Sequence, residues 1–184
     1  YMALVDDIYR LIPDISLSQD MIAGFPTETE EDHRDTLSLM EHCKYDFGFM
    51  FAYSERPGTL AARKMEDDVP ADVKNRRLTE IINLQQKISY ERTARFVGQI
   101  VEVLIEKTSK KSDAHWSGRN SQNITAVFPK GDYKPGDFVN VLVSECTSAT
   151  LIGEAVGYSE MQTPSIQDYI EPLAVEQKAT EGTI

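Results

Sequence analysis

The chain has 184 residues, 41% of them apolar and 27% charged, a composition that suits one or two globular domains and excludes a collagen-like or wholly disordered polypeptide. A net charge of −11 argues against gripping nucleic acid or anionic membrane over the whole surface, and leaves room only for a local basic patch. No apolar run approaches the roughly 20 residues a membrane-spanning helix needs, so a soluble, cytoplasmic chain is expected.

Residues 3–12 set Leu4, Ile8, Leu11 and Ile12 at helical spacing and stop at Pro13, which predicts a helix. Residues 15–23 read as a strand. Gly24-Phe25-Pro26 then turns the chain, and Thr27 with Glu30 forms a capping-box signature that opens a second helix to about His42. Residues 47–53 (Phe-Gly-Phe-Met-Phe-Ala-Tyr) are apolar on both faces, as in a parallel strand covered by helices on both sides. Strand, capped helix and strand make a βαβ unit, which needs further strands for stability. Pro70 suits the start of a long helix to about Arg95, with Leu78, Ile81, Ile82, Leu84 and Ile88 on or near one face and charge on the other.

Beyond a boundary near residues 96–98 the pattern changes to short strands at 99–106, 124–128, 138–143 and 150–156. A weaker strand lies near 116–119, and Lys134-Pro135-Gly136-Asp137 reads as a β-turn. Four or five short antiparallel strands predict a small OB-like barrel, so the fold class is α/β followed by all-β. After Gly157 the chain has no periodicity and little to bury, and disorder is expected. Charge follows the same division. Residues 1–92 carry 11 basic and 18 acidic side chains, whereas 93–158 carry seven of each and repel a polyanion least.

Cys43 and Cys146 are the only cysteines, too few and too far apart for a Cys-x-x-Cys site, and read as two buried reduced thiols. No metal-ligating residues and no catalytic dyad emerge. His42 is isolated, His33 sits on an early helical turn, and His115 lies in a loop.

Two stretches stand out. Residues 20–33 carry a strand into Gly-Phe-Pro and an acidic helix start, at the strand end where α/β folds bind ligands. Glu28, Glu30 and Glu31 favour the helix dipole and repel phosphate, so a ligand held by apolar and backbone contacts fits better than a nucleotide phosphate. Residues 53–59 (Tyr-Ser-Glu-Arg-Pro-Gly-Thr) occupy the same rim. There Arg56 can clamp a carboxylate, or simply pair with Glu55 or Asp46.

Together with residues 69–86 and the elements Ser109-Lys110-Lys111 and Ser117-Gly118-Arg119-Asn120, these stretches closely resemble the methylthiotransferases of the radical S-adenosylmethionine superfamily. The nearest match is the transfer RNA branch, which adds a methylthio group to C2 of an isopentenyl-modified adenosine beside the anticodon. Arg56-Pro57 before Gly58-Thr59 favours that branch over the ribosomal-protein branch, which usually has an acidic residue there. The resemblance runs from about residue 1 to 157 and covers the carboxyl-terminal half of such an enzyme. The missing initiator Met agrees with a fragment that is inactive alone.

The resemblance implies four parts: residues 1–68 as the last portion of a partial (βα) radical barrel, 69–96 as a linking helix, 97–157 as a TRAM β-barrel that holds RNA, and 158–184 as a tail. It implies S-adenosylmethionine as cofactor, with Ile22, Gly24, Phe25 and Pro26 near the adenosyl group and Ser54 and Arg56 on the next strand end. Two 4Fe–4S clusters would take their cysteines from an amino-terminal half preceding Tyr1. The implied partner is the tRNA anticodon stem-loop. Lys107, Lys110, Lys111 and Arg119, with Lys130 and Lys134, are the available phosphate contacts, and Asn120, Gln122 and Asn123 the groups for base edges or sugar hydroxyls. Trp116, Phe128 and Tyr133 offer stacking faces. The alternatives are a ribosomal-protein methylthiotransferase and a stand-alone RNA-binding protein.

Overall fold

A computed structural model of the chain describes residues 1–160. The first elements are α1 (Met2–Leu11), β1 (Ser18–Ala23), α2 (Glu30–Cys43), β2 (Phe47–Ala52), α3 (Leu60–Lys64) and α4 (Ala71–Ala94). β1 and β2 pair in parallel, from Ser18 opposite Phe47 to Ala23 opposite Ala52, so the expected βαβ unit is present.

Among the described residues only one face of this sheet is covered. Met21, Ala23 and Met50 pack with Met40 of α2 and with Ile81 and Ile88 of α4, whereas Ile22, Phe49 and Phe51 are each more than half exposed. The pleat sends alternate side chains to opposite faces, and the three exposed ones share the open face. Cover on both sides, as the apolar run of 47–53 predicts, is not found within these residues.

The cap of α2 lies two residues later than expected. The Thr29 hydroxyl accepts from the Asp32 N–H, and the Asp32 carboxylate accepts from the Thr29 N–H at 2.8 Å. Thr27 is in the left-handed region at φ 73, outside the extended conformation of an N-cap, and donates its N–H to Asp68 at 2.7 Å. α1 packs on the end of α2 and the residues after it through Val5, Cys43 and Tyr45. Along α4 the buried stripe is mixed: Lys74, Arg77, Gln85, Ser89 and Thr93 are buried beside Ile81 and Ile88.

The second half holds β3 (Ile100–Ser109), β4 (Ser112–Asn120), β5 (Thr125–Pro129), β6 (Phe138–Cys146) and β7 (Thr150–Tyr158), closed into a barrel in the order β3-β4-β5-β7-β6. The weak strand near 116–119 is thus a full nine-residue strand, which moves His115 out of the expected loop and into β4. Four of the pairings are antiparallel, but β5 and β7 run parallel. Val103, Ile105, Phe128, Val139, Val141 and Leu151 fill the interior. Asp137 N–H donates to the Lys134 carbonyl at 3.1 Å, closing the expected turn with Gly136 at φ 97. Gly98 N–H donates to Val143 O at 2.8 Å where the chain leaves α4 for the barrel.

Tyr158 ends β7, so strand structure reaches the first residue of the expected tail; beyond Glu160 that tail lies outside the described residues. Cys43 is buried as expected, while Cys146 is half-buried, and burial pushes its thiol pKa up. Among the described residues no helix is long and apolar enough to cross a membrane.

Candidate functional site

Two surfaces collect the residues singled out in the sequence. The first is the carboxyl-terminal edge of the β1–β2 sheet. Gly24 leaves β1 at φ 74, and a Cβ there would overlap the Lys74 side chain, which crosses directly beneath. Lys74 is buried and held by Asp67, with Nζ 2.6 Å from Oδ2 and 5.2 Å from the centre of the Tyr53 ring. Tyr53 in turn meets Phe25 edge to face at 5.2 Å between centroids. Pro26 is fully buried. Ile22 and Phe25 remain exposed, at 57% and 41%.

Glu28 closes this loop from below, a role that its reading as a dipole-favouring acid missed. Its carboxylate accepts from the backbone N–H of Gly24 and from that of Phe25, the latter at 3.1 Å. The Arg77 guanidinium lies 3.7 Å from the same carboxylate and donates to the Glu28 carbonyl at 2.9 Å. Arg77 also pairs with Glu30 at 2.8 Å, and the hydrogen bond from Arg77 holds the Glu30 carboxyl below its ordinary range. His33 is buried between Glu28 and Glu80, with Nε2 2.7 Å from Glu80. Sequence alone signals these partners only as charged residues on an amphipathic helix.

Ser54 and Arg56 are exposed on the same edge. Arg56 makes no ion pair among the described residues; Asp46 lies at the opposite end of β2, where it pairs with Arg92 at 3.0 Å and Arg95 at 3.5 Å. The edge therefore presents apolar surface at Ile22 and Phe25, an available guanidinium at Arg56 and a backbone turn with its amides already satisfied. Among the described residues no three metal-ligating side chains stand together.

The second surface is on the barrel. Lys107, Lys110, Lys111 and Arg119 line one cavity of about 570 Å³, together with His115 and Ile152. One acidic side chain enters it, Glu106, whose carboxylate is 3.6 Å from Arg119. Lys130 lies outside this cavity, with its ammonium 4.3 Å above the Trp116 ring and bonded to the Thr108 hydroxyl.

Several expected contacts are spent elsewhere. The Asn120 carbonyl oxygen accepts from Ile124 N–H, its amide donates to Gln122, and the residue is buried, so Asn120 builds the β4–β5 turn. Asn123 stands in the left-handed region at φ 62, where both its carbonyls accept from Arg119 at 2.9 Å. Phe128 is completely buried and offers no stacking face. Tyr133 packs against Tyr158 with centroids 5.0 Å apart.

Residues 94–156 match the TRAM domain family. Over 161 residues, 88% of this chain, the sequence is 66% identical to the tRNA-2-methylthio-N(6)-dimethylallyladenosine synthase of Flavobacterium psychrophilum, covering 34% of that protein. Proteins of the same name are 61% identical in Christiangramia forsetii, over 87% of this chain and 33% of theirs, and 54% identical in Bacteroides thetaiotaomicron, over 85% and 34%. The chain thus spans about a third of the length of these relatives, not the half that the resemblance implied.

Proposed function

We propose that this chain, whose residues 94–156 are a TRAM domain, is the RNA-holding and rim-forming segment of a tRNA methylthiotransferase that modifies C2 of N6-isopentenyladenosine beside the anticodon. The observation that carries the reading is the gathering of Lys107, Lys110, Lys111 and Arg119 around one cavity of a barrel in a chain of net charge −11. Likeness to synthases named for this reaction supports it.

In this reading the β1–β2 edge belongs to a partial (βα) barrel, and the open face of Ile22, Phe49 and Phe51 lines its interior. The edge suits an adenosyl group: Ile22 and Phe25 give apolar contact, Ser54 offers a hydroxyl and Arg56 an uncommitted cation for a carboxylate. S-adenosylmethionine, when bound, supplies the radical chemistry together with two 4Fe–4S clusters whose ligands lie outside these residues. The chain's own contribution is positional. Glu28, Lys74 and Arg77 fix the turn beneath the cofactor, the aromatic face excludes water, and the barrel cations hold the stem-loop so that the target base reaches the rim.

The test is product analysis of the whole protein. Nucleoside mass spectrometry should find the methylthio group on an isopentenylated anticodon stem-loop and none on ribosomal protein. The opposite pattern assigns the ribosomal-protein branch. Methylthio transfer by these 184 residues alone would overturn the assignment of cluster ligands to the rest of the protein.

A further inference from the structure

A second cavity, of about 490 Å³, lies between the α/β half and the barrel and is lined by Ile12, Asp14, Ser16 and Phe47 on one side and Gln122 and Asn123 on the other. It opens at the amino-terminal ends of β1 and β2. A six-residue strand is about 20 Å long, so this cleft is remote from the rim at Gly24 and Ser54. Its size falls within the range of small-ligand sites.

The cleft adjoins the basic cavity across one side-chain contact. Arg119 lines that cavity, and its guanidinium donates to the backbone and side-chain carbonyls of Asn123, which lines the cleft. An RNA strand held along the barrel lysines can therefore reach the junction by passing Arg119.

Two polar groups of the cleft lack a hydrogen-bond partner among the described residues, the exposed Asp14 carboxylate, whose charge is felt by the nearby Arg95 guanidinium, and the Asn123 side-chain amide N–H. The Ser16 hydroxyl oxygen is buried beneath the cleft wall and takes no part in it. Asn123 has its carbonyls occupied by Arg119, leaving its Nδ2 to donate. Gln122 is spent, donating to the Asp14 carbonyl at 3.2 Å and accepting from Asn120 and Ser121. Ile12 and Phe47 supply apolar walls.

A carboxylate beside an amide donor matches one base best. Guanine alone presents two adjacent donors, N1–H and N2–H, which a carboxylate accepts together, next to an O6 acceptor for an amide N–H. We propose that this junction cleft binds one unpaired guanine of the RNA strand that crosses the basic cavity, with Asp14 as the specificity-determining residue. The inference rests on the RNA-binding reading of the barrel. A single unpaired base read on its edge while the backbone is held by cations is the usual mode of single-strand RNA recognition.

The test is fluorescence anisotropy with four uridine heptamers that carry A, C, G or U at the centre, titrated with this chain at low salt. The guanine heptamer is expected to bind about fivefold tighter than the all-uridine one, the worth of one or two hydrogen bonds. Asp14→Asn should erase that preference, bringing the guanine heptamer to the same affinity as the other three. Equal affinity for all four heptamers, or a guanine preference that survives Asp14→Asn, overturns the cleft and leaves the basic cavity standing. Failure of every heptamer to bind overturns both.

Discussion

The Lys74 side chain runs across the backbone of Gly24 so closely that its Cβ and Cδ lie 3.1 Å from where a Cβ on residue 24 would stand. Gly24 also occupies φ 74, a conformation that costs an L-residue about 1–2 kcal/mol before any overlap. Gly24→Ala should therefore lose more than about 2 kcal/mol in a denaturant melt, since it strains the turn and also pushes Lys74 away from Asp67. A loss below about 0.5 kcal/mol would mean that the crossing is loose.

Asp46 is 5% exposed and faces both Arg92 and Arg95, while its second oxygen accepts the Leu17 N–H at 3.0 Å. Asp46→Asn leaves the two guanidinium groups without their counter-charge. Breaking a buried pair from one side costs about 3–5 kcal/mol, and Asp46→Asn should approach the lower figure by equilibrium unfolding, because Arg92 and Arg95 keep some solvent.

Acid should loosen the α2–α4 contact. The hydrogen bond from His33, and then that from Arg76, hold the Glu80 carboxyl below its ordinary value of 4.5. A depressed acid binds fewer protons folded than unfolded, so its contribution is complete above that value and is lost as the pH falls through the folded pKa. The melting temperature should fall below about pH 4.5, and Glu80→Gln should flatten that part of the profile. An unchanged acid limb in Glu80→Gln would contradict the His33–Glu80 pairing.

Gly118 approaches the Leu104 carbonyl across the β3–β4 ladder, and a Cβ there would overlap it. Gly118→Ala is expected to destabilise the barrel by about 2 kcal/mol or more, read as a lower melting temperature with the far-ultraviolet helix signal retained until the transition. Wild-type stability in Gly118→Ala would show that the strands can part without cost.

Much of this layout is legible in the sequence, and the exceptions share a cause. The βαβ order follows from the alternation of periodicities and the punctuation at Gly24-Phe25-Pro26 and Pro70. The cap of α2 is ambiguous in sequence because Thr27-x-x-Glu30 and Thr29-x-x-Asp32 are both local signatures; in the fold Thr27 stands at φ 73 while Thr29 is extended, as an N-cap requires. β4 reads weakly because Ser-Asp-Ala-His-Trp-Ser-Gly-Arg-Asn lacks alternation; its two neighbours in the ladder hold it extended. The barrel cations are legible as residues, but their meeting at one cavity depends on the β3–β4 pairing. Nothing local in the sequence distinguishes an amide that builds a turn, as Asn120 does, from one that reads a base, or an inward aromatic such as Phe128 from an outward one.

The most direct test of the central claim is the salt dependence of anticodon stem-loop binding by this chain, with and without Lys110→Glu and Lys111→Glu together. Each phosphate contact adds roughly 0.7–0.9 to the slope of log affinity against log salt. The double variant should bind at least about tenfold more weakly at low salt, with a slope shallower by roughly 1.5–2. Equal affinity and equal slope for the variant and the wild type would contradict the assignment of this cavity to RNA.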